Sequence, residues 1–256
     1  MRFELQAPGS RFLVPGRETS RGGAPDHDTE RACPFAFAVV RGHEAEQVAR
    51  EIAVAHPDAN PVILGPPDDA CHVLDVIDSN SDMSIERMLE AASQFDVDAW
   101  IAARPAELWG DEEPPPLPFE NAWPDEVRPT HTLDSLRDGA TRQPYEQIII
   151  VLLPTADPTA AAAHLKFGGW NNCPDPIVHI AFARRWHARY GARLVANTGD
   201  VLEFRVQNPV GSREDAIRLA VEQYHYCEDI VEQGTQTIER LAAELLGATA
   251  WFFWWD

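Results

Sequence analysis

An α+β or mixed α/β fold, with a central sheet packed by helices, follows from three features of the sequence. Ile148 to Leu153 is apolar at every position, as a strand buried on both faces requires. Arg193 to Val206 reads as two strands around the turn residues Asn197-Thr198-Gly199-Asp200. Helical periodicity fills the intervals, so the C-terminal half runs β-α-α-β-β-α-α-β. The 256 residues, 45% hydrophobic and 24% charged, can bury a sizeable core without disulfide staples.

From the N-terminus, residues 1–31 are rich in Gly, Pro and Arg and predict a loose arm. Residues 32–110 predict a small α/β region. Phe35 to Val40 forms a strand, and Ala45, Val48, Ala49 and Ile52 repeat at helical spacing until Pro57. Pro61 to Leu64 gives a second strand, with Gly65-Pro66-Pro67 as a turn after it. Ile85, Met88, Leu89 and Ala92 mark another helix, and Asp96 caps the one that carries Trp100 and Ile101. Residues 111–143 predict an acidic linker or loop, because Asp111-Glu112-Glu113 runs into Pro114-Pro115-Pro116-Leu117-Pro118. Prolines in series favour an extended spacer that joins neither a helix nor a sheet ladder. That spacer is expected to be the most protease-sensitive interior site.

Residues 144–256 predict the main domain. After the 148–153 strand, Asp157-Pro158 and Asp175-Pro176 each place an N-cap before a proline at the first helical position. The second of these helices ends at Gly191, a residue suited to a left-handed C-terminal cap. Ser212-Arg213-Glu214-Asp215 opens an amphipathic helix with Ala216, Ala220, Tyr224 and Cys227 on one stripe. A further helix with Leu241, Leu245 and Leu246 stops at Gly247. Trp251-Phe252-Phe253-Trp254-Trp255-Asp256 is aromatic at alternate positions of both parities, which predicts a central or covered strand buried in the sheet. Asp256 is expected near an arginine of the 184–193 stretch.

Charge narrows the function classes. There are 41 acidic residues against 21 basic ones, a formal net charge of -20, and 22 acids against 5 arginines fall between His43 and Asp138. Such a chain is a poor ligand for nucleic acid or an anionic membrane surface. The N-terminal residues lack an apolar targeting segment, and no run approaches the ~20 residues that span a bilayer. Four cysteines do not make a disulfide scaffold, so the cytoplasm is the expected compartment.

Five motifs occur in one order: Gly168-Gly169-Trp170-Asn171-Asn172-Cys173-Pro174, Trp186-His187-Ala188-Arg189-Tyr190, Thr198-Gly199-Asp200-Val201-Leu202-Glu203, Tyr226-Cys227-Glu228-Asp229-Ile230-Val231 and Trp254-Trp255-Asp256. Together, over about residues 145–256, they resemble the bacterial family catalogued as domain of unknown function 4253. That resemblance implies no catalytic residue or ligand.

The chemistry-bearing residues are therefore read directly. Cys173 precedes the Asp175 cap, where a helix dipole lowers a thiol pKa, and His179, His187 and Asn171 lie near it in sequence. Cys173 and His187 are the catalytic candidates, against a buried cysteine that packs its turn. A metal site from His225, Cys227, Asp229 and Cys173 is not expected, since residues two apart on a helix face different ways. Asp200 is assigned to its turn, and Glu203 to solvent or to Arg193 or Arg205 across the hairpin. No cofactor is expected, because Gly168-Gly169-Trp170 lacks the spacing of either phosphate-binding loop. Trp170, Asn171 and Tyr224 are the candidate binding residues, aromatics being frequent anchors for protein partners.

Two functions follow. The first is a non-enzymatic acidic protein-binding module, an immunity-type inhibitor or an adaptor, that steers onto a basic protein partner. The alternative is a cysteine-dependent hydrolase or transferase centred on Cys173 with a nearby histidine.

Overall fold

The computed structural model describes residues 3–16, 28–110, 112–120 and 122–256. Strands β1 (Arg11–Val14) and β2 (Thr29–Ala32) pair as an antiparallel ribbon within the stretch expected to be a loose arm. Phe12 is what fixes it: its ring is buried and meets Phe37 edge-on at 5.7 Å. Residues 1–2 and 17–27 of that expected arm lie outside the described residues.

The main sheet contains β3 (Ala36–Val40), β4 (Asn60–Gly65), β5 (Ile148–Leu153), β6 (Arg193–Thr198), β7 (Val201–Arg205) and β8 (Ala250–Trp254). Their spatial order is β3-β5-β4-β6-β7-β8, antiparallel except between β4 and β6. β5 thus lies between two strands of the N-terminal half, and β4 joins that half to the hairpin β6-β7. The strands of 32–110 and 144–256 share one sheet, so the 111–143 segment connects parts of a single layered body.

Alternation along β5 explains its all-apolar sequence. Ile149, Val151 and Leu153 enter the larger core, while Ile148 and Ile150 enter the smaller core on the opposite face. Helix α1 (Gly42–Ala55) covers that smaller core with Ala45, Val48 and Ile52. On the larger side lie α2 (Pro67–Ser79), α3 (Ile85–Ser93), α4 (Val97–Trp109), α5 (Ala161–Leu165), α6 (Pro176–Tyr190), α7 (Arg213–Tyr226) and α8 (Ile238–Leu245).

Helix starts follow their caps. Ser84, Asp96, Ser212 and Thr237 each accept a backbone N–H with the side chain. α6 opens on Pro176 and closes on Gly191 at φ 60, the left-handed cap that a glycine adopts without strain. Two local readings change. Pro66-Pro67, expected as a turn, starts α2, because proline at the first helical position lacks only an N–H that would go unused there. Asp157 caps a turn rather than a helix, accepting from the Thr159 N–H at 2.8 Å and its hydroxyl at 2.7 Å, and α5 begins later.

The connection 111–143 changes character along its length. Glu112 to Pro116 is exposed, as a spacer should be, and Asp111 lies outside the described residues. From Pro118 onward it is tethered: the Pro118 carbonyl accepts from the Ile238 N–H, and the Thr130 carbonyl accepts from the Thr249 and Ala250 N–H groups. Leu133 is fully inside the smaller core.

Strand β8 carries its aromatics into the sheet, but at its edge and not its centre. Trp251, Phe253 and Trp255 share one face and are buried, with Phe253 stacked on Trp186 at 5.2 Å. Phe252 points the other way and stays 37% exposed, so only one face is fully covered.

Candidate functional site

Cys173 sits in the turn that leads into α6, and the histidine it meets is His179. Its Sγ lies 3.5 Å from His179 Nε2, and His179 Nδ1 is 2.5 Å from the Tyr226 hydroxyl. His187 is at the opposite end of the same helix, where its Nδ1 donates to the Ala192 carbonyl at 3.1 Å. The Cys173-His179-Tyr226 chain is enclosed by Phe167 and Trp255, both edge-on to the imidazole. Burial controls its protonation. It pushes the Cys173 thiol up and pulls the His179 imidazole down to about 3, so both groups are neutral. A helix-end dipole, worth at most ~2 kcal/mol, does not offset the removal of a thiolate from water.

The three residues proposed for binding each have their own partners. Trp170 packs edge-on against Phe167 at 4.8 Å, and Asn171 Nδ2 donates to the Asp256 carbonyl at 2.9 Å. Tyr224 instead donates its hydroxyl to Glu232 at 2.8 Å, in the π-helical turn Ile230–Thr235 after α7. The expected arginine neighbour of Asp256 is replaced by Asp229, whose Oδ2 accepts the Asp256 N–H at 3.0 Å.

Glu203 neither faces solvent nor pairs with an arginine. It is 1% exposed and accepts from the Asp134 N–H at 2.6 Å, the Ser135 N–H at 3.1 Å and the Ser135 hydroxyl. The 3₁₀ turn Asp134–Leu136 brings those donors across the sheet, and burial raises the carboxyl pKa. Asp200 serves its turn and also accepts from Trp254 Nε1 at 3.0 Å. Cys227 Sγ donates to the Trp254 carbonyl at 3.0 Å. Among the described residues no group of three His, Cys, Asp or Glu side chains is placed to hold a metal ion.

These contacts join motifs that are far apart in sequence. The Trp170–Pro174 loop, the Tyr226–Val231 segment, the Asp200 turn and the Trp254–Asp256 end all meet around Trp255, and Trp186 packs beneath Phe253. Residues 149–256 match the family described as Domain of unknown function (DUF4253). No curated protein and no solved structure matches the chain. The DUF4253 segment supplies four of the six strands, while β3, β4 and α1 from outside it complete the sheet and its second face.

Three buried polar residues carry much of this assembly and were not singled out from sequence. Glu222 on α7 accepts from Trp186 Nε1 at 2.6 Å, Arg185 Nε at 2.9 Å and Arg189 Nη1 at 3.0 Å. Arg104, 4% exposed, reaches the Asn172 carbonyl and lies 3.7 Å from Glu228. Gln223 is 1% exposed, and its Nε2 has no hydrogen-bond partner among the described residues. The spacing Leu219, Gln223, Tyr226 on the buried stripe of α7 is the signal that could have found Gln223.

Next to this assembly is the outer edge of β8, which is covered at its two ends, by the Thr130 carbonyl on the Ala250 N–H and by Cys227 Sγ on the Trp254 carbonyl, and uncovered around Phe252. Val206 N–H bonds to the Thr249 carbonyl and Trp255 N–H to the Asp200 carbonyl, so residues of odd number face β7. The alternate residues, Phe252 and Trp254, therefore direct their backbone N–H groups away from the sheet. No further strand pairs there among the described residues. A groove of about 230 Å³ runs beside this edge, floored by Leu241 and Leu245 of α8 and reached by Gln223, Asp229 and Glu244. No basic side chain lines it. Burial raises the pKa of the Glu244 carboxyl.

Proposed function

We propose that the chain is a non-catalytic, acidic protein-binding module, of the inhibitor or adaptor type, which docks an extended basic segment of a partner along the outer edge of β8. The observation that carries this reading is the middle of that edge, around the exposed Phe252, which has no strand partner among the described residues and lies beside an acid-lined groove. Main-chain groups of a sheet edge can pair with an added strand, and side-chain pockets beside the edge then select its sequence. A long open edge invites self-association unless something discourages it. Here a second copy is disfavoured by charge, because two chains of -20 would bring Asp229 and Glu244 toward their own counterparts. A basic segment meets the same acids favourably.

The buried chain Cys173-His179-Tyr226 supports this reading over the hydrolase or transferase. A nucleophilic cysteine needs thiolate character and access, whereas this thiol is 5% exposed with its pKa raised by burial.

The test uses an alternating arginine–valine octapeptide and its glutamate–valine counterpart, titrated calorimetrically into the protein. The basic peptide should bind more tightly than the acidic one and lose affinity as salt rises, since screening falls to ~8 Å at physiological ionic strength. Phe252→Lys, a charge placed on the open edge, should abolish that binding while the melting temperature holds. Equal affinity for both peptides, or full binding by the variant, rejects the reading.

A further inference from the structure

A second groove lies on the opposite face of the sheet, between α1 and strands β4, β6 and β7. It has a volume of about 310 Å³, within the lower range of small-molecule sites, and its walls include Ala49, Ala53, Ile63 and Val195. Its charged residues run against the character of the whole molecule. Arg50, Arg193 and Arg205 line it against one acid, Glu46, in a protein of net charge -20.

The arginines are not equally satisfied. Glu46 bonds Arg50 at 2.9 Å and Arg205 at 2.6 Å, and Arg205 Nη1 also donates to the His131 carbonyl at 2.6 Å. Arg193 has no ion-pair or hydrogen-bond partner among the described residues. It stands directly opposite Arg205 in the β6-β7 register. Like charges facing each other across two strands are destabilising. Two further donors at this groove are buried and unpartnered: Asn60 Nδ2, on a residue 3% exposed, and Arg205 Nε. A buried donor without an acceptor costs free energy that a bound acceptor would recover.

We propose that this groove binds a small carboxylic acid with an aliphatic body. The carboxylate would sit between Arg193 and Arg205, within reach of Asn60, and relieve the repulsion between the two guanidinium groups. The aliphatic body would lie against Ala49, Ala53, Ile63 and Val195. Glu46 argues for a monoanion over a phosphate dianion, since its carboxylate already occupies part of the cationic field.

Titration calorimetry at low salt with octanoate, 1-octanol, octylamine and inorganic phosphate tests the assignment. Octanoate should bind saturably and more tightly than the other three. Arg193→Gln removes an exposed side chain at the start of β6, and should weaken octanoate about tenfold or more. The melting temperature of the unliganded variant should hold or rise, because an Arg–Arg opposition is removed. Octanoate binding that is absent, matched by octylamine, octanol or phosphate, or unchanged in Arg193→Gln overturns the proposal.

Discussion

At the residue scale, His179 shows how burial decides chemistry that sequence distance leaves open. Cys173 had two histidines within reach along the chain. The helix selects between them: His179 lies in the first turns of α6, next to the loop that precedes it, whereas His187 is carried to the far end. The imidazole pKa, about 3 when folded against an ordinary ~6.5, has a defined sign for stability. The unfolded chain takes up a proton below ~6.5 that the folded chain refuses, so this contribution is full above ~6.5 and is lost as pH falls toward about 3. His179→Gln removes that dependence. Urea midpoints measured from pH 7 to pH 4 should therefore fall more steeply for the parent than for the variant, and the gap between them should narrow. Glu203 and Glu228, whose carboxyls burial pushes up, act in the opposite sense but equally in both proteins. Parallel curves would contradict the neutral, buried histidine.

At the element scale, the helices and strands of residues 144–256 were legible because each carries its own local signal. Proline opens α6, where the Asp175 side chain makes no cap bond, Ser212 caps α7, glycine follows α6, and β5 is apolar throughout. What the sequence left hidden was position within the sheet. Alternating aromatics mark β8 as a strand, but nothing local says whether a further strand will pair beyond it. The same gap explains Glu203, whose hairpin neighbours suggested an arginine while a distant 3₁₀ turn supplied the partners. The buried face of β8 has a measurable consequence. Trp251, Phe253 and Trp255 pack on Trp186, Tyr190, Tyr226 and Phe167, and each such side chain buries ~150–250 Å². Deleting 251–256 should remove stabilisation comparable with the ~5–15 kcal/mol of a whole domain and leave the chain insoluble or unfolded. A truncated chain with the parent melting temperature would show that these rings are not part of the core.

At the scale of the whole molecule, the linker read from the acidic proline run turns out to connect parts of one sheet. Composition locates an exposed segment but carries no information about which strands pair across it; β3 and β4 flank β5 through contacts that are non-local in sequence. Cleavage after Glu112 by a glutamate-specific protease should be the earliest interior cut, because the segment is exposed and Glu113, not a proline, follows that residue. The two fragments should nevertheless co-elute on size exclusion, held by the β5 ladders on both sides. Separation into two folded pieces, or a first cut within 148–206, would contradict the single shared sheet. The same interleaving keeps β8 at one end of a rigid layer, with the acidic groove beside it. Amide hydrogen exchange at four consecutive residues tests the binding account most directly. With the arginine–valine octapeptide added, the amides of Phe252 and Trp254 should gain protection, while those of Trp251 and Phe253, already facing β7, should stay as they were. Protection that leaves Phe252 and Trp254 unchanged while the peptide is bound would place the partner elsewhere and contradict the edge-docking account.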